Sequence, residues 1–213
     1  MPRGACVLEQ IMVHLNGNVL CVFDCETTGL DPFQHDIWQI CCMPLDFNLD
    51  PVGLPFEIML KPRNPENRDT SAISKKNFNK AILSGMDYEV AAGLFAEWVD
   101  RMNLGFKKRI MPLAHNWPFD RGFIIEWLGQ ETVDYYIDPR YRDTMTVGAF
   151  INDVCDHTAE RIPLTKLNLR HVANCLHIDW DDGAAHDAVY DCVKTAEVYR
   201  KLIKNSSYLA ELG

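Results

Sequence analysis

The apolar positions change period along the chain. Residues 19–26 form a nearly continuous apolar run, Val-Leu-Cys-Val-Phe, that closes on Asp24, Cys25 and Glu26. A short run of this kind reads as a strand buried on both faces. Residues 37–47 and 56–60 repeat the signal with Pro and Gly between them, which predicts three strands in an antiparallel meander. A polar loop rich in Pro and Asn follows over 61–68. The period then becomes helical. A short helix is predicted over 74–83, and Asp87 stands as the N-cap of a second. That helix carries Val90, Ala91, Leu94, Phe95, Trp98, Val99 and Met102 at spacings of three and four. Residues 110–114 read as a buried strand, 119–128 as a helix, and 135–143 as a strand interrupted by Pro139. Residues 144–154 and 167–176 read as helices. The clearest helix is 186–203, with Val189, Cys192, Val193, Ala196 and Leu202 on its inner side.

The result is an α/β plan: a mixed five-stranded sheet, three antiparallel strands first and parallel strands after, with helices on both faces. Residues 1–18 stand apart as an N-terminal extension. Val7, Leu8, Ile11, Met12 and Leu15 recur at helical spacing, so a short amphipathic helix is predicted, closed by a turn at Asn16-Gly17-Asn18. Residues 19–213 form the single domain.

Composition narrows the function classes. At 213 residues and 47% hydrophobic, the chain can bury one well-packed core. It has no apolar run of 18 residues, so no transmembrane helix is predicted. Arg3, Glu9 and His14 interrupt the N-terminus, which reads as no secretory signal. None of the eight cysteines lies in a C-x-x-C pair, which argues against structural zinc, and most sit in apolar runs, as reduced thiols of a cytoplasmic protein do. The net charge of −9 counts against a broad basic face for duplex DNA, but a site built of carboxylates adds negative charge that a bound metal offsets.

Three acidic constellations carry the candidate chemistry. In Asp24-Cys25-Glu26-Thr27-Thr28-Gly29, residues two apart on a strand point the same way, so Asp24 and Glu26 present two carboxylates together. Two anions so close are costly unless a cation joins them. In His115-Asn116-Trp117-Pro118-Phe119-Asp120, Pro118 suits the first turn of a helix and places Asp120 near its start. There a carboxylate also gains from the positive helix end without any catalytic role. In His186-Asp187-Ala188-Val189-Tyr190-Asp191, Asp187 is a cap or first-turn residue, Asp191 lies a turn inside, and His186 stands just before the helix.

In order and separation these motifs resemble the DEDDh, or DnaQ-like, 3′→5′ exonucleases. The resemblance rests on Asp24-x-Glu26-Thr27-Thr28-Gly29, Asn116-x-x-Phe119-Asp120 and His186-x-Ala188-x-x-Asp191 followed by Thr195, and spans roughly residues 19–203. The related DEDDy group has Tyr four residues before the last Asp; here Asp187 holds that position and His186 stands one earlier. The resemblance implies a ribonuclease H-like fold and hydrolysis of phosphodiester bonds from the 3′ end of single-stranded DNA or RNA, releasing nucleoside 5′-monophosphates. It implies two Mg²⁺, with Mn²⁺ able to substitute, held by Asp24, Glu26, Asp120 and Asp191, and His186 as the base. It also implies substrate contacts from Thr27, Thr28, Leu30, His115, Asn116 and Phe119, with Leu30 against the terminal base. For Leu30 and Phe119 the ordinary alternative is core packing. Lys75, Lys76 and Lys80 lie beside the region where relatives admit substrate, and Arg140 and Arg142 flank a strand where they could meet phosphate.

Other readings stay open. The motifs are shared with small ribonucleases that trim RNA or finish oligonucleotides. A non-catalytic nucleic-acid-binding module on the same fold would be expected to have lost a carboxylate, and all four are present. A proofreading role beside a DNA polymerase, within a replication or repair complex, is a third; about ten residues follow the last predicted helix, little length for docking such a partner. Some members of the family are homodimers.

Overall fold

The computed structural model describes residues 13–14, 17–69, 75–158 and 164–205. Its sheet grows around β2 (Asn18–Thr27), which is buried almost throughout because it is flanked and covered on every side. The strand β3 (Ile37–Pro44) pairs antiparallel with it, and β4 (Phe56–Met59) pairs antiparallel with β3. On the other side β5 (Ile110–Ala114) runs parallel to β2, and the short β6 (Arg142–Asp143) runs parallel to β5. The order β4-β3-β2-β5-β6 gives the five strands of the predicted mixed sheet, and a further short strand at Val13–His14 brings the sheet to six.

The alternation along β2 sorts its side chains into two cores. Val19, Cys21, Phe23 and Cys25 enter one, against α2 (Tyr88–Arg101) and α3 (Trp117–Leu128). Phe56, Phe95, Trp98 and Trp127 fill it with ring centroids 5.3–6.2 Å apart. Leu20 and Val22 face the other way, against α7 (Ala188–Asn205). The side of α7 on the sheet is Ala188, Cys192, Ala196 and Tyr199, largely small side chains that let the helix approach closely. Asp24 and Glu26 share the parity of Leu20 and Val22, so they belong to the α7 side. The remaining helices are α1 (Lys75–Ser84), α4 (Gln130–Tyr136), α5 (Thr144–His157) and α6 (Leu169–Cys175).

Two expectations are corrected. Val13–His14 form a strand, β1, paired antiparallel with Val19 and Asn18, rather than the end of a helix. The β3 ladder begins only at Cys21, so the first residues of β2 offer an open edge that an extended segment satisfies. Gly17, at φ 81°, sits in the expected turn. Val7, Leu8, Ile11, Met12 and Leu15 lie outside the described residues, as does Cys6. Residues 135–143 are the second correction. Gly129 ends α3 with φ 79° and the chain re-enters a helix, α4. Val133, buried, supplies its inner face, and Tyr135-Tyr136 close the helix instead of extending; Ile137, also buried, leaves it in extended backbone. Two short pieces of the segment still reach the sheet: Ile137 bridges Ile110 of β5, with Asp138 N donating to Ile110 O at 2.7 Å, and Arg142–Asp143 form β6.

The seven described cysteines are free thiols, five of them buried. Among the described residues no helix is long and apolar enough to cross a membrane.

Asp143 joins several of these elements. Its carboxylate accepts from Met145 N (2.9 Å) and Thr146 N (3.0 Å), capping α5, and from Trp117 N (2.7 Å) at the start of α3. Asp143→Ala removes the cap and orphans a buried N–H, so we expect a loss of about 2–4 kcal/mol in urea unfolding at unchanged m. Asp143→Asn, which keeps an acceptor, should lose less; equal losses would show that the acceptor is not what matters.

Candidate active site

Each acidic residue is delivered by a different piece of the frame. The strand β5 pairs with β2 only as far as Val22, which leaves the last residues of β2 without a neighbour on that side. The first turn of α3 fills the gap: Asp120, buried, accepts from Cys25 N at 2.9 Å. Pro118 stands at the start of α3 as its sequence position predicts, and Asn116 makes the entry in the left-handed region at φ 77°.

Asp187 caps α7, accepting from Val189 N (3.1 Å) and Tyr190 N (3.3 Å). One turn on, Asp191 is buried against the sheet. His186 precedes the helix at φ 63°, costly for a residue with a Cβ, and its N–H donates to Asp191 Oδ2 at 3.3 Å. Strain of this kind persists only where the surroundings impose it. Ligand atoms of Glu26, His186 and Asp191 all lie within 4.8 Å of one another.

Asp24 feels the charge of Asp120, as the position of Asp120 on Cys25 N requires. Burial, then Asp120, Glu26 and Asp191, drives the Asp24 carboxyl well above the carboxylate range. Burial, then Asp191, Asp187 and Asp120, pushes Glu26 up to about 8. Burial also pushes Asp120 up to about 8, although the Cys25 N–H opposes it, and Asp191 up to about 6, against the His186 N–H. Asp191 Oδ1 is buried with no hydrogen-bond partner. An all-oxygen set of acids with an orphaned oxygen and raised pKa values fits a divalent cation, which would return these groups to their ionised form.

The other sequence-predicted residues fall into different settings. Thr27 donates its hydroxyl to Gly29 O (2.7 Å), and its carbonyl accepts from Trp38 Nε1 (3.2 Å). Thr28 is fully buried, its hydroxyl accepting from Asp36 N at 2.9 Å, so its side chain closes the loop. Leu30 is 77% exposed. Phe119 is half-buried and packs on Phe123, centroids 5.1 Å apart. The His115 ring meets Thr144 Oγ1 at 2.7 Å, and burial holds its pKa below the usual value. Asn116 is half-buried beside it. Arg140 is engaged by Asp138 through Nε (2.7 Å) and a terminal nitrogen (2.8 Å). Lys75 and Lys76 have side chains outside the described residues.

Three contributors had no assigned role in the sequence. Gln39, fully buried, is the β3 partner of Glu26; it donates to Asp187 Oδ2 at 3.2 Å and accepts from Ala188 N at 3.5 Å. It ties the start of α7 to the strand pair carrying the acids. Asp36, buried, accepts from Arg63 Nε (2.8 Å) and Asn64 N (2.9 Å), and Arg63 lies over the Tyr88 ring at 4.6 Å. Together they fasten the loop after β4 to the loop after β2. An isolated polar residue inside an apolar strand was the available signal for Gln39; no local signal identifies the partner of Asp36.

The exonuclease family model RNase_T matches residues 21–199. A PolC-type DNA polymerase III of Ureaplasma parvum serovar 3 is 23% identical over 198 residues, covering 92% of this chain and 12% of the polymerase. A zinc-bound E. coli exonuclease I in complex with single-stranded DNA superposes at TM-score 0.64 with 17% identity, over 91% of this chain and 42% of that one. The nuclease domain of 3′hExo, described as a DEDDh family member bound to rAMP, superposes at TM-score 0.60 with 16% identity, over 87% and 92% of the two chains. The chain thus spans about an eighth of the polymerase and under half of the exonuclease I chain.

The raised carboxyls have a measurable consequence. Without metal the folded protein keeps protons that the unfolded chain releases near pH 4, so stability should fall as pH rises from about 4 to about 8. Mg²⁺ should therefore raise Tm more at pH 8 than at pH 5. A Mg²⁺ increment that does not grow with pH would contradict this electrostatic picture.

Proposed function

The chain belongs to the exonuclease family, in its DEDDh, DnaQ-like form, and from that premise we propose that it hydrolyses single-stranded DNA from the 3′ end, releasing nucleoside 5′-monophosphates. The observation that carries this reading is the convergence of four carboxylates from β2, α3 and α7 beside His186, with Asp191 Oδ1 lacking a partner. Asp24, Glu26, Asp120 and Asp191 are the residues to hold two divalent cations. Their four negative charges match two such ions, and their hard oxygens favour Mg²⁺ or Mn²⁺. When bound, these ions neutralise the acids and polarise the attacking water and the leaving oxygen.

The chain's own groups supply the rest. His186, exposed at the mouth and fixed through its backbone by Asp191, takes the proton from the attacking water. A new P–O bond forms as the bond to the 3′ oxygen breaks, and that oxygen leaves on the shortened strand as a hydroxyl. Gln39 and Asp187 keep the His186–Asp191 segment in register with Glu26. Thr27, Leu30, His115, Asn116 and Phe119 line the approach in this reading, with Leu30 against the terminal base. Single-stranded DNA is favoured by the exonuclease I complex, and the rAMP-bound nuclease supports RNA as a second substrate. The polymerase match supports an association with a DNA polymerase, which co-purification would test.

With 5′-labelled single strands and Mg²⁺, we expect ladders that shorten from the 3′ end, their disappearance in EDTA, and protection by a blocked 3′ terminus. Faster loss of RNA than DNA in parallel digests would select the second substrate. Shortening from the 5′ end would refute the direction.

His186→Ala should lower turnover by about 10²–10⁴-fold while the rise of Tm with Mg²⁺ persists. Unchanged turnover would remove His186 from the chemistry. Loss of the Mg²⁺ effect would make it a ligand instead.

A further inference from the structure

Phe33 is 82% exposed, and nothing local explains why a large aromatic ring should face water there. It lies in the loop joining β2, which carries Asp24 and Glu26, to β3, which carries Gln39. That loop is rigidly built. Asp31 Oδ1 accepts from Phe33 N at 3.0 Å and Oδ2 from Gln34 Nε2 at 2.6 Å. The Asp31 carbonyl accepts from Gln34 N (3.0 Å) and His35 N (2.8 Å). The His35 ring lies so close over Gly29 that a Cβ there would meet it at 2.3 Å. Pro32 seats on Gly122 of α3, where a Cβ would be 3.2 Å away, and Asn67 Nδ2 from the neighbouring loop donates to Gln34 O at 2.7 Å. Ring exposure is therefore a fixed feature of the turn.

We propose that Phe33 is a stacking platform for a base upstream of the 3′-terminal nucleotide of a single strand entering the site. This rests on the exonuclease reading above and extends it along the substrate. Leu30, also exposed, is the wedge for the terminal base in that reading; Phe33 is three residues further from Thr27 along the same turn. The only charged side chain between them, Asp31, has both carboxylate oxygens engaged within the loop, which leaves the Leu30 and Phe33 side chains as the exposed apolar groups of the turn. An aromatic face accepts every base, as hydrolysis without sequence preference requires.

The test uses the full chain, Phe33→Ala and Phe33→Trp, with DNA strands that are intact or lack one base at a defined position upstream of the terminus. We expect Phe33→Ala to lower kcat/KM on intact strands by about 5- to 150-fold, chiefly through KM, and Phe33→Trp to retain activity. One abasic position should cost the wild type a similar factor and cost Phe33→Ala nothing further. Wild-type behaviour of Phe33→Ala, or the same loss from it on intact and every abasic strand, would overturn the platform. Anisotropy binding of the same strands in Ca²⁺ separates the two claims. Phe33-dependent binding without cleavage by the wild type sinks the exonuclease reading and keeps the contact; cleavage indifferent to Phe33 does the reverse.

Discussion

Mutual repulsion among buried carboxylates is the constraint around which this molecule is organised. Two unit charges 4.8 Å apart, the spread of the Glu26–His186–Asp191 ligand atoms, repel by about 3 kcal/mol at an effective dielectric near 20. Asp24 and Asp120 add further pairs. Several such pairs are comparable with the roughly 5–15 kcal/mol that holds a domain folded. The acids must therefore either keep protons or share cations, and in the proposed metal-dependent reading they take the second course.

The frame serves to hold that arrangement. The strand β2 carries two of the acids to the end of the sheet just where β5 has stopped, and α3 places Asp120 on the vacant N–H. Small side chains bring α7 down on the other face, so Asp191 meets Glu26, and Gln39 locks the start of the helix to the same strand pair. His186 takes a left-handed backbone at the junction, with the Asp191 carboxylate accepting its N–H. The loop after β2 is braced by Thr28, Asp36 and Arg63, and in the proposed reading it is the rim that a strand approaches.

Much of this was legible in the sequence because it depends on local pattern. The alternation of Val19–Glu26 fixed which side Asp24 and Glu26 share, Pro118 placed Asp120 in the first turn of α3, and Asp187 capped α7. What the sequence hid depends on contacts between distant segments. Val13–His14 pair because β2 has an open edge there, which no local preference reveals. Tyr135-Tyr136 favour a strand by residue type, yet Gly129 and the burial of Val133 draw them into a helix, and the strand character survives only at Ile137. Thr28 fits the family motif, but its partner Asp36 lies 8 residues away and gives its side chain structural work. Gln39 is a polar residue in an apolar strand, and only its partner 148 residues on gives it a purpose.

The most direct measurement is anomalous diffraction from crystals grown with Mn²⁺. The account predicts two peaks enclosed by Asp24, Glu26, Asp120 and Asp191. Well-ordered carboxylates at saturating Mn²⁺ with no peak among them, or peaks only elsewhere on the surface, would contradict it.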